Sequence, residues 1–299
     1  MKRGLVISGG GVKGSFAGGC VEYLMKEKNM DWDVLVGTST GALLIPLISL
    51  GKIDELKDKY TNVTNSDIFS VVPYNSKGKL KVFNAIKRII LGKTSLGDAS
   101  NLLKEIKKIL TVKDYYSLNS KDVFITVSNM TKSIVEYKKL GRETYFDFCE
   151  WMLASASVPI AFDIVVKNEC EYLDGGILEP IPVQKAIDEK CDVIDIFILS
   201  SEYREDTKKS KNIFDIASKT ISLMNFEINN NDISISKLEG TQRNIQLNIY
   251  RIPYIPNLNS LNFNKKEMTK LWKDGYEFAK NNAPICNILE KTKKGYRLK

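Results

Sequence analysis

The sequence predicts an α/β protein built around a mostly parallel sheet. Three observations carry that expectation: short runs rich in β-branched residues recur along the 299 residues, helix-length segments separate them, and the first two runs are apolar almost throughout. Runs of that last kind are strands buried on both faces, which is where parallel sheets place them.

The first run, "LVIS" (5–8), leads through "GGGVKG" into a helix expected over 14–28. The second, "DVLVG" (33–37), leads through "GTSTG" into a helix over 40–50. Pro46 removes a backbone bond there, so a kink or an early helix end near Ile45 is expected. Residues 62–98 follow no clear period and read as an insertion. A helix over 102–110 precedes the strands "VFITVSN" (123–129) and "IVEYKKL" (134–140), and a helix over 146–155 precedes a short strand ending in Asp174. The strand "VIDIFILSS" (193–201) runs into a charged loop (201–212) and a helix over 213–229. The strand "NIQLNIYRIP" (244–253) and a helix over 265–281 complete the set. The expected organisation is one domain over 1–299, with the insertion at about 62–98 and a C-terminal helical extension at about 255–299.

Composition narrows the function classes. With 43% apolar and 27% charged residues the chain resembles ordinary globular proteins, and 44 Lys plus Arg against 36 Asp plus Glu favour anionic partners. No zinc spacing or RNA-recognition aromatic motif is present and the basic residues are spread out, so no nucleic acid is expected. Five scattered cysteines without a C-x-x-C pair argue against a disulfide framework or zinc site and suit a reducing cytosol. The N-terminal apolar run stops at three glycines after four residues, too short for a signal peptide, and no run approaches the roughly 18 residues of a membrane span. A cytoplasmic protein, peripheral at most to a membrane, is expected.

The turn "GGGVKG" between strand and helix aims backbone N–H groups outward, a geometry for an anion or an oxyanion. A nucleotide phosphate loop needs G-K-[ST], and Lys13 is followed by Gly14. Gly9, Gly11 and Gly14 do satisfy G-x-G-x-x-G, but a dinucleotide site wants an acidic residue at the end of the second strand. That strand ends in Gly37-Thr38-Ser39, and Asp31 and Asp33 lie at its beginning. A tight turn with no ligand is the plain alternative.

Gly37-Thr38-Ser39-Thr40-Gly41 is a G-x-S-x-G pentapeptide in the strand-turn-helix setting that exposes a nucleophilic serine; Ser39 or Thr40 as a simple helix cap is the alternative. The chain contains no histidine, which excludes the usual triad. Lys13 is one possible base, and Asp174 in "YLDGGILEPIPV" is the best carboxylate, although D-G-G is also a turn signal.

The order GGGxKG, GxSxG, distal DGG resembles the patatin-like phospholipase family, as do "ASASVPIAF" (154–162) and the prolines Pro180 and Pro182. The resemblance covers residues from about 5 to 182. It implies a three-layer α/β/α patatin-like fold and a Ser39–Asp174 dyad without metal or organic cofactor. It also implies an oxyanion hole from Gly10 and Gly11, with Gly9 and Gly14 shaping the loop, Lys13 supporting it, and Gly37 and Gly41 framing the nucleophile. The implied activity is cleavage of phospholipids or related acyl lipids. A cytosolic esterase or thioesterase on soluble acyl compounds and a non-catalytic lipid-binding module are the competing readings.

Between Lys77 and Lys93, apolar Phe83, Ile86 and Ile90 interleave with basic Lys87 and Arg88, a pattern for a basic amphipathic helix at an anionic membrane surface. Packing of that stripe on the core is the alternative. The basic C-terminal "KTKKGYRLK" reads as a frayed tail.

Overall fold

Strand β1 (Arg3–Ile7) is buried from Gly4 onward, so its backbone groups must be paired on both sides. In the computed structural model it runs parallel to β2 (Val34–Thr38) on one side and to β7 (Val193–Ile198) on the other. Beyond β2 lies β3 (Asp122–Asn129), and beyond β7 lies β8 (Gln246–Arg251), both parallel to their neighbours. Antiparallel strands finish the sheet: β4 (Ile134–Lys139) and β6 (Cys170–Asp174) on β3, β5 (Val165–Lys167) on β6, and β9 (Ile285–Cys286) on β8. The structure describes residues 1–72, 87–88, 90–95, 98, 100–117, 121–202, 209–210, 213–256, 258–286, 289–292 and 295–298, with side chains up to 286 except those of 214 and 218.

Side chains alternate across this sheet between two apolar layers. Leu5, Ile7, Leu35, Ile125 and Phe197 join a larger core with helices α1 (Gly14–Lys28), α2 (Thr40–Ser49), α3 (Ile53–Thr61), α4 (Asn65–Ile68), α5 (Ser100–Ile109), α6 (Val112–Tyr116) and α7 (Tyr145–Ser155). Val6, Val34, Val36, Ile194 and Ile196 join a smaller core with α8 (Val183–Asp188) and α9 (Ile213–Gln242). Helix α10 (Lys265–Asn281) returns to the larger core, where Met268, Leu271 and Trp272 pack with α1. The result is the expected three-layer α/β/α architecture.

Three expectations are corrected. Helix α2 passes through Pro46 and ends at Ser49: every residue of it is buried, and that apolar packing outweighs one missing backbone bond. Helix α9 continues past Asn229 to Gln242. The basic C-terminal tail pairs as an antiparallel ribbon of β10 (Leu289–Thr292) and β11 (Gly295–Leu298).

Candidate active site

The register of β3 brings the two halves of the site together. Its residues Phe124–Asn129 are covered on one edge by β4. On the other edge β2 pairs as far as Thr38 opposite Thr126, and β6, running the opposite way, pairs as far as Asp174 opposite Val127. The two strands therefore end head to head on one edge of β3. Ser39 follows the first and Asp174 ends the second, close enough that the Ser39 hydroxyl favours the ionised form of the Asp174 carboxylate.

Backbone strain and close approach define the serine turn. Ser39 has φ 55° and ψ −119°, in a region side chains rarely occupy, and its N–H donates to the buried Ser155 Oγ at 3.0 Å. A Cβ on Gly37 would lie 2.5 Å from the Gly41 carbonyl carbon, and one on Gly41 would lie 2.2 Å from the Ile7 oxygen. Glycine at both positions is thus demanded by the crossing of turn and strand.

Asp174 is 5% exposed. Its Oδ1 accepts the Gly176 N–H at 2.7 Å, and its own N–H donates to the Ser157 carbonyl at 3.0 Å. Burial pushes its carboxyl up from 3.8 to about 7, against the opposing pull of the Ser39 hydroxyl and the Gly176 N–H. The end of α7 and the residues just after it thus hold both residues, Ser39 through Ser155 and Asp174 through Ser157.

The glycine loop lies beside this pair. Gly9 would bring a Cβ within 3.3 Å of the Ser39 Cβ, and its N–H donates to the Pro180 carbonyl at 3.2 Å. The Val12 N–H donates to the Ser260 carbonyl at 3.0 Å, and the Lys13 N–H closes the turn onto the Gly10 carbonyl at 3.3 Å. Among the described residues the Gly10 and Gly11 N–H groups meet no protein acceptor. Gly11 has φ 58° and fits under Ser260, whose oxygen a Cβ would approach to 2.0 Å; a Cβ on Gly14 would meet the Thr40 hydroxyl at 2.2 Å.

Tyr60, on α3, ties the two turns together, although it belongs to no motif. Its buried hydroxyl donates to the Gly11 carbonyl at 3.1 Å and also meets the Thr40 hydroxyl. Burial raises its own pKa to about 12, so it remains a neutral donor.

Ser39 and Gly11 line a cleft whose empty space, counted out into open solvent, is about 560 Å³. Leu43, Ile68, Leu102, Phe162, Leu261 and Phe263 are among its walls, with Glu105 the one charged residue among the described lining. A cleft with this largely apolar lining suits an apolar chain.

The residues picked out for membrane contact divide. Phe83 and Ile86 lie outside the described residues. Lys87 is exposed and Ile90 is 78% exposed. Arg88 faces inward: its guanidinium donates to the Ser95 carbonyl at 2.9 Å and to Asp163 at 3.3 Å, which makes it an anchor for its own segment. A buried, paired guanidinium is not available to a lipid head group.

The model of one family, described as patatin-like phospholipase, matches residues 5–187, more than half of the chain. The protein "Probable lipid hydrolase 463L" of Invertebrate iridescent virus 6 is 25% identical over 190 residues, 61% of this chain and 62% of the viral protein. The chain therefore spans less than two thirds of that relative's length. Among solved structures, VipD from Legionella pneumophila aligns over 93% of this chain and 67% of its own, at 13% identity and a TM-score of 0.47. The matched residues contain the glycine loop, the serine turn and the D-G-G segment, and the chain belongs to the patatin-like phospholipase family.

Proposed function

We propose that this protein is a lipid acyl hydrolase of the phospholipase A type, cleaving carboxylic esters of phospholipids or related acyl lipids through a Ser39–Asp174 dyad. The observation that carries the reading is that the head-to-head strand ends bring the buried Ser39 and Asp174 side chains together, beside two N–H groups that meet no acceptor among the described residues. Ser39 Oγ attacks the ester carbonyl while its proton passes to Asp174. The oxyanion is held by the Gly10 and Gly11 N–H groups, with Gly9, Gly14 and Lys13 forming the loop and Gly37 and Gly41 the turn. Asp174 then returns the proton to the departing alcohol, and water activated by the same carboxylate cleaves the acyl-enzyme. A carboxylate whose pKa lies near 7 is a far better proton acceptor than an exposed one.

The apolar cleft supports an acyl chain as the buried part of the substrate and leaves any charged head group at the mouth. The decisive experiment is fatty-acid release from phospholipid vesicles by the wild type, Ser39→Ala and Asp174→Asn, each confirmed folded. Both variants are expected to lose at least about 10³-fold in rate. Undiminished release by either would overturn the dyad. Hydrolysis of soluble short-chain esters with none of vesicles would favour a cytosolic esterase instead.

A further inference from the structure

Helix α9 is longer than the layer it belongs to. Its 30 residues span about 45 Å, whereas the six residues of β7 span about 20 Å. Asp232 fixes where it crosses the sheet edge. Its Oδ2 accepts the Ile181 N–H at 3.4 Å, and the adjacent Pro180 carbonyl accepts the Gly9 N–H at 3.2 Å, so Asp232 stands level with the glycine loop. From there Ile233, Ser236 and Gly240 continue a buried stripe toward β8, which begins at Gln246 opposite Val193, at the amino end of β7. The preceding part, residues 213–231, extends the other way by about 28 Å, beyond the edge that carries Ser39 and Asp174.

This upper half presents an apolar face. At about 100° per residue, Ile213, Ile216, Leu223 and Met224 fall within one arc of about 100°. They are 74%, 56%, 56% and 58% exposed. The only charged residue on that arc is Glu227, near its lower end, and Lys209 stands exposed just ahead of it. The four side chains offer on the order of 500 Å², below the roughly 800 Å² per partner that a stable dimer buries. Insertion into the boundary between head groups and acyl chains needs no such area. The face stands beyond the strand ends that carry Ser39, one of the residues lining the apolar cleft, and the chain's charge of +8 complements an anionic surface. No helix among the described residues is long and apolar enough to cross a membrane, so contact through this face is with the surface.

We propose that the upper half of α9 is a lipid-docking surface that seats the carboxyl edge of the sheet on a phospholipid bilayer. The proposal rests on the lipid-hydrolase reading for its purpose, but its test does not depend on turnover. Full-length Ser39→Ala protein is sedimented with vesicles of equimolar phosphatidylcholine and phosphatidylglycerol. It pellets with them, and adding Leu223→Glu with Met224→Glu lowers the partition coefficient at least about tenfold. Adding Ile235→Glu with Leu238→Glu instead leaves binding unchanged, because those residues, 54% and 65% exposed, lie below the glycine loop on the same helix. Thermal melts establish that each variant is folded; if the glutamate pair does not fold, Leu223→Ser with Met224→Ser carries the same test. The proposal falls if the parent stays in the supernatant, if the upper pair has no effect, or if the lower pair weakens binding equally. It also falls if sedimentation velocity reveals a dimer that the upper pair dissociates, since the face then belongs to a second copy.

Discussion

At the residue scale, the unusual property is a carboxyl that keeps its proton near neutrality. Burial raises Asp174 and Glu179 to about 7 and Asp232 to about 6. In the unfolded chain these groups titrate near their ordinary values, so between about pH 4 and 7 the folded state binds more protons, and stability falls as pH rises through that window. Two outcomes follow for Asp174. As the proposed base it must be ionised, so kcat/KM on a soluble ester is expected to rise with pH along a limb centred near 7. Asp174→Asn keeps an acceptor for the Gly176 N–H while removing the buried charge. A melt at pH 8 should show it more stable than the wild type by on the order of 2 kcal/mol, with the difference fading below about pH 4. Tyr60 acts at the same scale, because one hydroxyl fixes both the Gly11 carbonyl and Thr40. Tyr60→Phe preserves the ring and is expected to lower kcat about tenfold with KM nearly unchanged; a role in packing alone would move the melting temperature and spare kcat.

At the scale of elements, the end of α7 is a bracket for the site. Ser155 Oγ is the acceptor for the strained Ser39 N–H and is itself fully buried. Ser155→Ala leaves that donor unpaired, so urea unfolding should register a loss of about 1–3 kcal/mol at constant m, and kcat should fall as the serine turn loosens. Which elements the sequence revealed follows from what each requires. The glycine loop and serine turn were legible because crossing segments there exclude any Cβ, as at Gly37 and Gly41, and sequence must answer with glycine. The full length of α9 was not legible, because its inward stripe of Asn229, Ile233, Ser236 and Gly240 is mostly polar or small and imitates a surface. Pro46 misled for the converse reason: a local rule about backbone bonds was overridden by complete burial of α2, a tertiary property that no window of sequence contains.

At the scale of the whole molecule, the candidate site depends on chain far beyond the glycine, serine and D-G-G motifs. The family match ends at residue 187, yet Ser260 clamps the glycine loop by accepting the Val12 N–H, and Leu261, Phe263 and Met268 wall the cleft. None of these residues carries a motif, so their role became visible only when the chain was folded back on itself. What holds them in place is the seating of α10 on α1. A Cβ on Gly19 would come within 1.9 Å of the Trp272 oxygen, and one on Gly275 within 2.0 Å of the Phe16 oxygen, so the two helix backbones touch through reciprocal glycines. The Trp272 Nε1–H reinforces the contact by donating to Glu22 at 2.6 Å. Gly275→Val therefore forces α10 off α1, and because backbone rather than a flexible side chain blocks the way, relaxation is costly. The expected loss is about 3 kcal/mol or more by urea unfolding, and any protein that remains folded should show a lower kcat, since the displaced α10 no longer holds Ser260 over Gly11. A folded Gly275→Val variant with wild-type kcat would mean that the C-terminal third supports the fold without supporting the site.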